Sequence, residues 1–204
     1  MPTIVLATGN KGKIRELSEM LRASHPDLTV LGLKDFPEIG EIPETGETFE
    51  ENALIKARAV CAATGLVAVA DDSGLVVDGL GGAPGVYSAR YSGAGATDAS
   101  NLARVLAELD GVKDSRRTAR FMCVIAACAP NGATLVAEGF WEGRIIREPL
   151  GENGFGYDPV FWDDELQCSA AQMAPEVKNG RSHRGRALRS LMAEWDGFWV
   201  RSGQ

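Results

Sequence analysis

A run of six residues near the start of the chain combines the residue types that bind phosphate groups. It holds, in order, Thr8, Gly9, Asn10, Lys11, Gly12 and Lys13. A short apolar run precedes it and a helical pattern of apolar residues follows it, so we predict a strand, a tight turn and the start of a helix. Backbone N–H groups and the helix dipole at such a start favour an anion such as phosphate. The P-loop motif is absent from the sequence, and an ordinary strand–turn–helix with solvated lysines fits this segment as well.

Two adjacent carboxylates follow a second apolar run. Asp71 and Asp72 come directly after residues 66–70, and neighbouring side chains of an extended chain point to opposite sides. Asp72 is the candidate to hold Mg²⁺ or to activate a water molecule. The alternative is that Asp-Asp-Ser-Gly, which includes Ser73, forms an ordinary turn where the strand stops. A second metal carboxylate would come from the acidic loop over residues 36–47, whose candidates are Glu38, Glu41, Glu44 and Glu47.

A third group of residues suits the recognition of a flat ring. Glycines alternate with aromatic residues in the segment made of Gly154, Phe155, Gly156, Tyr157 and Asp158. Glycine allows close approach of the backbone to a ligand, and an aromatic face can stack on a base. Hydrogen-bond donors follow in a basic run that contains Lys178, His183 and Arg184. The alternative for the glycine-aromatic segment is a hairpin bulge with core aromatics, and the alternative for the basic run is a solvated helix start. Lys56, taken alone, fits an ordinary lysine on a helix surface.

Composition excludes several classes of function. The 204 residues carry a formal net charge of −7, which argues against a surface for nucleic acid polymers but not against a local nucleotide site. No apolar run approaches the length of a membrane span, and a strand is predicted directly after Met1 and Pro2, so we expect neither a membrane segment nor a signal peptide. Four cysteines without a C-x-x-C pair are expected to be reduced, mostly buried thiols, typical of the cytoplasm. Two histidines exclude a multi-histidine zinc site.

The elements that must position these residues alternate between helix and strand. We predict helices over residues 11–24, 49–63, 98–109 and 183–195, of which the second and third have Thr48 and Thr97 at their caps. Strands are predicted over 28–33 and 66–70, with Val76 and Val77 as a possible continuation after the Asp-Asp-Ser-Gly interruption. Residues 118–129 and 134–146 form a long antiparallel hairpin around a Pro-Asn-Gly turn. The fold class is therefore α/β, with a mixed sheet, long hairpin strands, two lobes and a central cleft, within a single domain over residues 1–204.

Taken together, these motifs resemble the inosine triphosphate pyrophosphatase family, and the resemblance covers essentially the whole chain. The motifs occur in the family's order: TGNKGK from Thr8, ETG from Glu44, FEENA from Phe49, Lys56, ADDSG from Ala70, GGAPGVYSAR from Gly81, GFGYDP from Gly154 and SHRG from Ser182.

The resemblance implies a function and a set of roles. The family hydrolyses deaminated purine nucleoside triphosphates, such as ITP, dITP and XTP, to the monophosphate and pyrophosphate, with Mg²⁺ as cofactor. It implies that Asp72 is catalytic and that Asp72 and Glu44 hold the metal. It further implies an elongated α/β body with a central cleft and a homodimer. The implied substrate contacts are Thr8, Gly9, Asn10, Lys11, Gly12, Lys13, Lys56, Ser73, Phe155, Gly156, Tyr157, Asp158, Lys178, His183 and Arg184.

Two other functions compete with this hypothesis. A nucleotide-sensing protein without turnover would use the same binding residues, although it would not need a carboxylate such as Asp72 to activate water. A phosphotransferase is disfavoured because the sequence has neither a P-loop nor kinase motifs.

Overall fold

A mixed β-sheet forms the centre of the computed structural model, which describes residues 3–203. Within those residues the strands are β1 (Thr3–Leu6), β2 (Thr29–Gly32), β3 (Val67–Val77), β4 (Thr118–Cys128), β5 (Thr134–Ile145), β6 (Phe161–Asp163) and β7 (Cys168–Ser169). They form one seven-stranded sheet in the order β2-β1-β3-β4-β5-β6-β7. β1 pairs in parallel with β2 and β3, whereas β6 pairs antiparallel with β5 and β7. The predicted α/β class with a mixed sheet is confirmed.

The α-helices of the described range begin and end at residues that the sequence marks clearly. They are α1 (Lys11–Ser24), α2 (Phe49–Thr64), α3 (Asp98–Glu108), α4 (Pro175–Arg181), α5 (His183–Ala193) and α6 (Trp195–Ser202). The predicted helix over 11–24 is confirmed, with Asn10 as its N-cap. Thr48 and Thr97 cap α2 and α3 through capping boxes, and Gly65 ends α2 in the left-handed conformation. The hairpin prediction is confirmed by β4 and β5, joined by the turn from Ala129 to Ala133.

One sequence prediction about the elements is wrong. β3 does not stop at Ala70 but continues through Asp71 and Asp72 as far as Val77, because cations from other elements compensate the two buried carboxylates. The helix predicted over 183–195 is confirmed as α5, which ends at Ala193, and a further helix, α6, follows it. Phe198 of α6 is fully buried and belongs to the apolar core of the first unit.

The described chain divides into two compact units by its internal contacts. The first contains the chain as far as Asp72, together with Cys123–Gly139 and the chain from Arg184 onward. Its apolar core joins residues of β1, α1, β3, β4 and α5, such as Leu6, Leu17 and Ile125. The second contains Ser73–Met122 and Phe140–His183, and its core includes Leu75, Val105 and Trp141. Each unit therefore buries an apolar core of its own.

Two expectations from composition can be compared with the structure. All four cysteines are free, and three of them are buried, as predicted. Among the helices described, none is long and apolar enough to cross a membrane. The elongated body, the central cleft and the single domain over residues 1–204 stay predictions.

Candidate active site

The predicted phosphate turn lies between β1 and α1 in the first unit. Asn10 caps α1 by accepting a hydrogen bond from the Lys13 backbone N–H at 3.1 Å, and the Thr8 hydroxyl accepts one from the Asn10 N–H at 3.3 Å. Gly9, Asn10 and Lys11 are exposed, and a Cβ added at Gly9 would meet nothing within 4 Å. The turn therefore presents backbone at a helix N-terminus with open space in front of it, which is the arrangement that binds phosphate.

Asp71 lies beside this turn and connects it to the C-terminal part of the chain. Its carboxylate is fully buried and lies 3.0 Å from Lys13 Nζ and 3.5 Å from Arg184 Nε. Burial opposes the charged form, but Lys13 and Arg184 outweigh it and hold the pKa of Asp71 well below its usual range. Arg184 also pairs with the buried carboxylate of Glu16. Lys13 is thus held in place by an anion that stays charged.

Asp72 has different partners and the opposite pKa shift. Its Oδ1 lies 3.6 Å from Lys56 Nζ, and the same ammonium lies 2.6 Å from Glu44 Oε1. Burial raises the pKa of Asp72 and repulsion from Glu44 adds to this, while Lys56 and Lys13 act against it. A carboxylate whose pKa is raised is a better proton acceptor from water than an ordinary aspartate.

The acidic loop is attached to α2 in a way that places Glu44 at this site. Asn52 of α2 accepts a hydrogen bond from the Gly46 N–H at 2.8 Å. A side chain at Gly46 would lie 2.6 Å from Glu51 Cβ, so the close approach requires glycine. Lys56 is one helical turn beyond Asn52, and its side chain is directed at Glu44 and Asp72. The predicted alternative of a solvated helix-surface lysine is therefore wrong for Lys56, which is buried.

The donor set around Lys56 fits a magnesium ion. Mg²⁺ takes oxygen ligands, usually from one or two carboxylates with the rest from water and phosphate, and Asp72 and Glu44 supply two carboxylates that repel each other. No group of three or more potential metal-binding residues occurs in the described part of the chain, so a complete protein cage of that kind is absent there. Of the loop candidates, Glu38, Glu41 and Glu47 are exposed, whereas Glu44 reaches Lys56.

A second cluster forms in the other unit from the predicted ring-binding residues. Asp158 Oδ2 accepts hydrogen bonds from Phe155 N–H at 2.8 Å and from Lys178 Nζ at 2.7 Å. The same ammonium lies 5.0 Å from the centre of the Phe155 ring. The Tyr157 hydroxyl donates to the Ser88 carbonyl at 2.8 Å. Lys178 and Asp158 are both buried, so Lys178 is not part of a solvated helix start.

His183 and Arg184 are adjacent in sequence but have different surroundings. The His183 ring stacks on Phe121 in the second unit, with 4.8 Å between ring centres and 15° between planes. Arg184 belongs to the first unit, where its guanidinium contacts Asp71 and Glu16.

Known proteins resemble this chain in sequence and in structure. The model of the Ham1 family matches residues 4–194. The chain belongs to the Ham1 family. A protein of Nitratidesulfovibrio vulgaris named dITP/XTP pyrophosphatase is 59% identical over 203 residues, which is 97% of this chain and 97% of the relative. A protein of the same name from Lactiplantibacillus plantarum is 51% identical, and the match covers 98% of each chain. A HAM1 protein from Coxiella burnetii has a similar structure, with a TM-score of 0.87, 47% identity, and coverage of 97% of this chain and 100% of its own.

In this Ham1 family member the predicted residues fall into two groups. The first unit brings together Lys13, Lys56, Asp72 and Glu44, with the turn residues Thr8 to Gly12 at the start of α1. The second brings together Phe155, Gly156, Tyr157, Asp158 and Lys178. Another predicted contact, Ser73, is half-buried in β3. The family resemblance drawn from the motifs is confirmed.

Sequence reasoning missed several residues that support these groups. Glu16 lies three residues after Lys13 in an amphipathic helix, where glutamate usually faces solvent, and its partner Arg184 is 168 residues away. Asn52 and Asp98 give no signal of a distant contact either. The capping boxes next to them in sequence identify only the starts of α2 and α3.

Proposed function

We propose that this Ham1 family member hydrolyses deaminated purine nucleoside triphosphates, such as ITP, dITP and XTP, to the monophosphate and pyrophosphate. The observation that carries the proposal is the 59% identity, over 97% of both chains, to a protein named dITP/XTP pyrophosphatase. The reaction would remove these nucleotides from the cellular pool. The pairs Lys13–Asp71 and Lys56–Asp72 support it, because they place ammonium and carboxylate groups together in the first unit.

The phosphate end of the reaction is assigned to the first unit. The backbone of the turn from Thr8 to Gly12 and the Lys13 ammonium bind the triphosphate, as anion sites at helix starts do. A water molecule attacks the α-phosphorus, Asp72 accepts its proton, and the bond to the β-phosphate oxygen breaks to release pyrophosphate. Lys13 and Lys56 stabilise the charge that develops on the departing group. Asp71 keeps Lys13 oriented and takes no proton, because its pKa is lowered.

Magnesium is the proposed cofactor, and Asp72 and Glu44 are the proposed ligands. When bound, Mg²⁺ would neutralise phosphate charge and lower the pKa of a coordinated water. Glu44 is favoured as the second carboxylate because it reaches the same lysine as Asp72.

The base is assigned to Phe155, Gly156, Tyr157, Asp158, Lys178 and His183 in the second unit. Hypoxanthine and xanthine carry a 6-oxo acceptor where adenine carries a 6-amino donor, so a pocket of donors pairs with the former and opposes the latter. A site built around such hydrogen bonds can reject the mismatched group by about 10⁴-fold. The contacts of Arg184 favour a role in holding Asp71 over the predicted contact with the base.

Two further properties belong to the proposal. The protein forms a homodimer, supported by the family resemblance, and it acts in the cytoplasm, where the free nucleotides occur. Four free cysteines are typical of that compartment.

Product analysis tests the proposed reaction. Purified protein is incubated with ITP and Mg²⁺, and the products are separated by anion-exchange chromatography, with ATP as the comparison substrate. We expect IMP and pyrophosphate in equal amounts from ITP, much slower turnover of ATP, and loss of activity with EDTA that added Mg²⁺ restores. IDP and phosphate would contradict the bond assignment, and binding without turnover would favour a nucleotide sensor.

A further inference from the structure

The segment from Gly154 to Asp158 is held by contacts from outside it as well as by its own. Asp158 fixes the Phe155 N–H, and Tyr157 is anchored on the Ser88 carbonyl. A further contact is made by the Gly156 N–H, which donates to Asp98 Oδ2 at 2.8 Å, across 58 residues of sequence. Gly156 has a φ of 63°, a conformation that glycine adopts easily and equally easily leaves. A contact at this peptide therefore restricts a residue of the segment that has high intrinsic conformational freedom.

Asp98 is not required as the cap of its own helix. It is the first residue of α3, whose N-cap is Thr97, and the capping box is completed by Ser100. The Thr97 hydroxyl accepts from the Ser100 N–H at 3.1 Å, and Ser100 Oγ accepts from the Thr97 N–H at 2.8 Å. The capping box of α3 is therefore complete without the Asp98 side chain. The carboxylate of Asp98 is directed instead at Gly156, in a separate segment of the same unit.

The start of α3 is a firm attachment point. Asn101, one turn beyond Asp98, is buried; its side chain accepts from the Ser92 N–H at 2.7 Å and donates to the Ala89 carbonyl at 3.1 Å. These bonds tie α3 to the loop that carries Ser88, which anchors Tyr157. Val105 and Leu109 bury the far end of the helix in the core. Precise sites are built on rigid elements with supporting hydrogen bonds, and α3 provides this support at two points of the segment.

We propose that Asp98 is a positioning residue for base recognition: it holds the Gly156 peptide so that Phe155, Asp158 and Lys178 keep the arrangement that receives the purine. This inference rests on the proposed function of that cluster. Asp98 needs no contact with the substrate to act in this way. Its removal weakens base binding equally in the ground state and the transition state, which raises KM and leaves kcat unchanged.

Three variants separate positioning from charge and from stability. Asp98→Ala removes the acceptor, Asp98→Asn keeps an acceptor oxygen without the charge, and Thr97→Ala weakens the cap of α3 without touching Gly156. For Asp98→Ala we expect the KM for ITP to rise by about three- to tenfold, the range for one lost hydrogen bond, with kcat within about twofold. Asp98→Asn restores KM to within about twofold of the unaltered protein, and Thr97→Ala lowers the melting temperature without changing KM.

Amide hydrogen exchange gives a readout that does not depend on activity. We expect the Gly156 amide to exchange faster in Asp98→Ala than in Asp98→Asn or Thr97→Ala. An unchanged KM or Gly156 exchange rate in Asp98→Ala overturns the inference, as does failure of Asp98→Asn to restore either, or an equal rise of KM in Thr97→Ala. Failure of the proposed function is recognised separately, because the unaltered protein would then not convert ITP.

Discussion

Asp71 and Asp72 are adjacent in β3, but their surroundings shift their pKa values in opposite directions. Asp71 is surrounded by cations and its pKa is lowered, whereas burial and Glu44 raise the pKa of Asp72. Pairs of titratable groups whose pKa values are shifted apart usually have separate roles. Asp71 stays ionised to order Lys13 and Arg184, while Asp72 is suited to accept a proton or to hold a cation.

The substitution Asp72→Asn tests this assignment. An amide neither accepts the proton of water nor binds Mg²⁺ well, so we expect kcat for ITP to fall by at least about 10²-fold. The melting temperature should change little. Steady-state kinetics and thermal unfolding are measured together, with the exposed Asp110→Asn as the matched control. Activity of Asp72→Asn within about threefold of the unaltered protein, far less than the loss of a general base causes, would exclude Asp72 as base or ligand.

Base selectivity is a second property that single residues should decide. If Lys178 and His183 donate to the 6-oxo group, replacing either by alanine lowers kcat/KM for ITP more than kcat/KM for ATP. The reason is that the same change also removes a donor that opposes the 6-amino group of adenine. We expect the ratio of kcat/KM for ITP to that for ATP to fall about tenfold.

The ratio distinguishes recognition from general damage. Lys178→Ala also removes the ammonium that pairs with Asp158. Such general damage to the site lowers kcat/KM for both substrates alike. Val177→Ala, at the exposed neighbour of Lys178, serves as the control and should keep the ratio. A preserved ratio in both test variants would move base recognition to the backbone of residues 155–158.

At the scale of elements, the helix starts could be predicted and the course of β3 could not. Thr48 and Thr97 cap helices through residues three positions away, so the signal is local and complete in the sequence. The continuation of β3 through Asp71 depends on Lys13 and Arg184, which come from α1 and α5. Nothing near Asp71 in sequence reveals these partners, and two consecutive carboxylates favour a turn when read alone.

The ion pairs that join α5 to α1 and β3 should contribute strongly to stability. Arg184→Met removes the cation that Glu16 and Asp71 share, and breaking a buried pair in this way costs about 3–5 kcal/mol in the free energy of unfolding. Urea unfolding at pH 7 measures the loss. The matched control is Arg186→Met, two residues along the same helix but exposed, which should change the free energy by less than about 1 kcal/mol. Equal effects of the two variants would contradict a stabilising role of the buried pairs.

The same variant should respond to pH in a defined direction. In the unaltered protein the pKa of Asp71 is lowered in the folded state, so its contribution to stability is present above the unfolded pKa of about 3.9 and is lost as the pH falls below it. Removing Arg184 takes away one of the cations that lower this pKa. The destabilisation by Arg184→Met should therefore be present in full at pH 7 and should decrease only well below about pH 4, as the pH falls through the lowered pKa of Asp71 in the folded protein. A loss that is independent of pH would show that packing, not charge, accounts for it.

At the scale of the whole molecule, an acidic protein carries local groups of cations. The net charge is −7, yet Lys13, Lys56 and Arg184 are all directed at buried carboxylates. The residue types of both groups could be predicted from motifs, because each motif is contiguous. Their pairing could not, since contacts such as Arg184–Glu16 and Gly156–Asp98 join distant parts of the sequence.

A dimer is the remaining prediction for the whole molecule, and the exposure of two tyrosines indicates which surface we expect to form its interface. Of the two tyrosines in the glycine-rich loop, Tyr91 packs within its own chain, with its hydroxyl on Glu108 and Arg104 over its ring. Tyr87 is 59% exposed, with the Arg90 guanidinium 5.3 Å from its ring centre. Tyrosine and arginine are enriched at protein interfaces, so Tyr87 marks the surface on which we expect the second copy.

Sedimentation equilibrium tests the dimer and its location together. At micromolar concentration the unaltered protein should sediment with twice the chain mass of 21.7 kDa. Tyr87→Ser should shift it toward the monomer, because truncation of a central interface tyrosine weakens association by about 2 kcal/mol or more. Val200→Ser, at an exposed valine of α6, should leave the mass unchanged. A mass of one chain in the unaltered protein would contradict the dimer, and a dimer dissociation constant that is unchanged in Tyr87→Ser would place the interface on another surface.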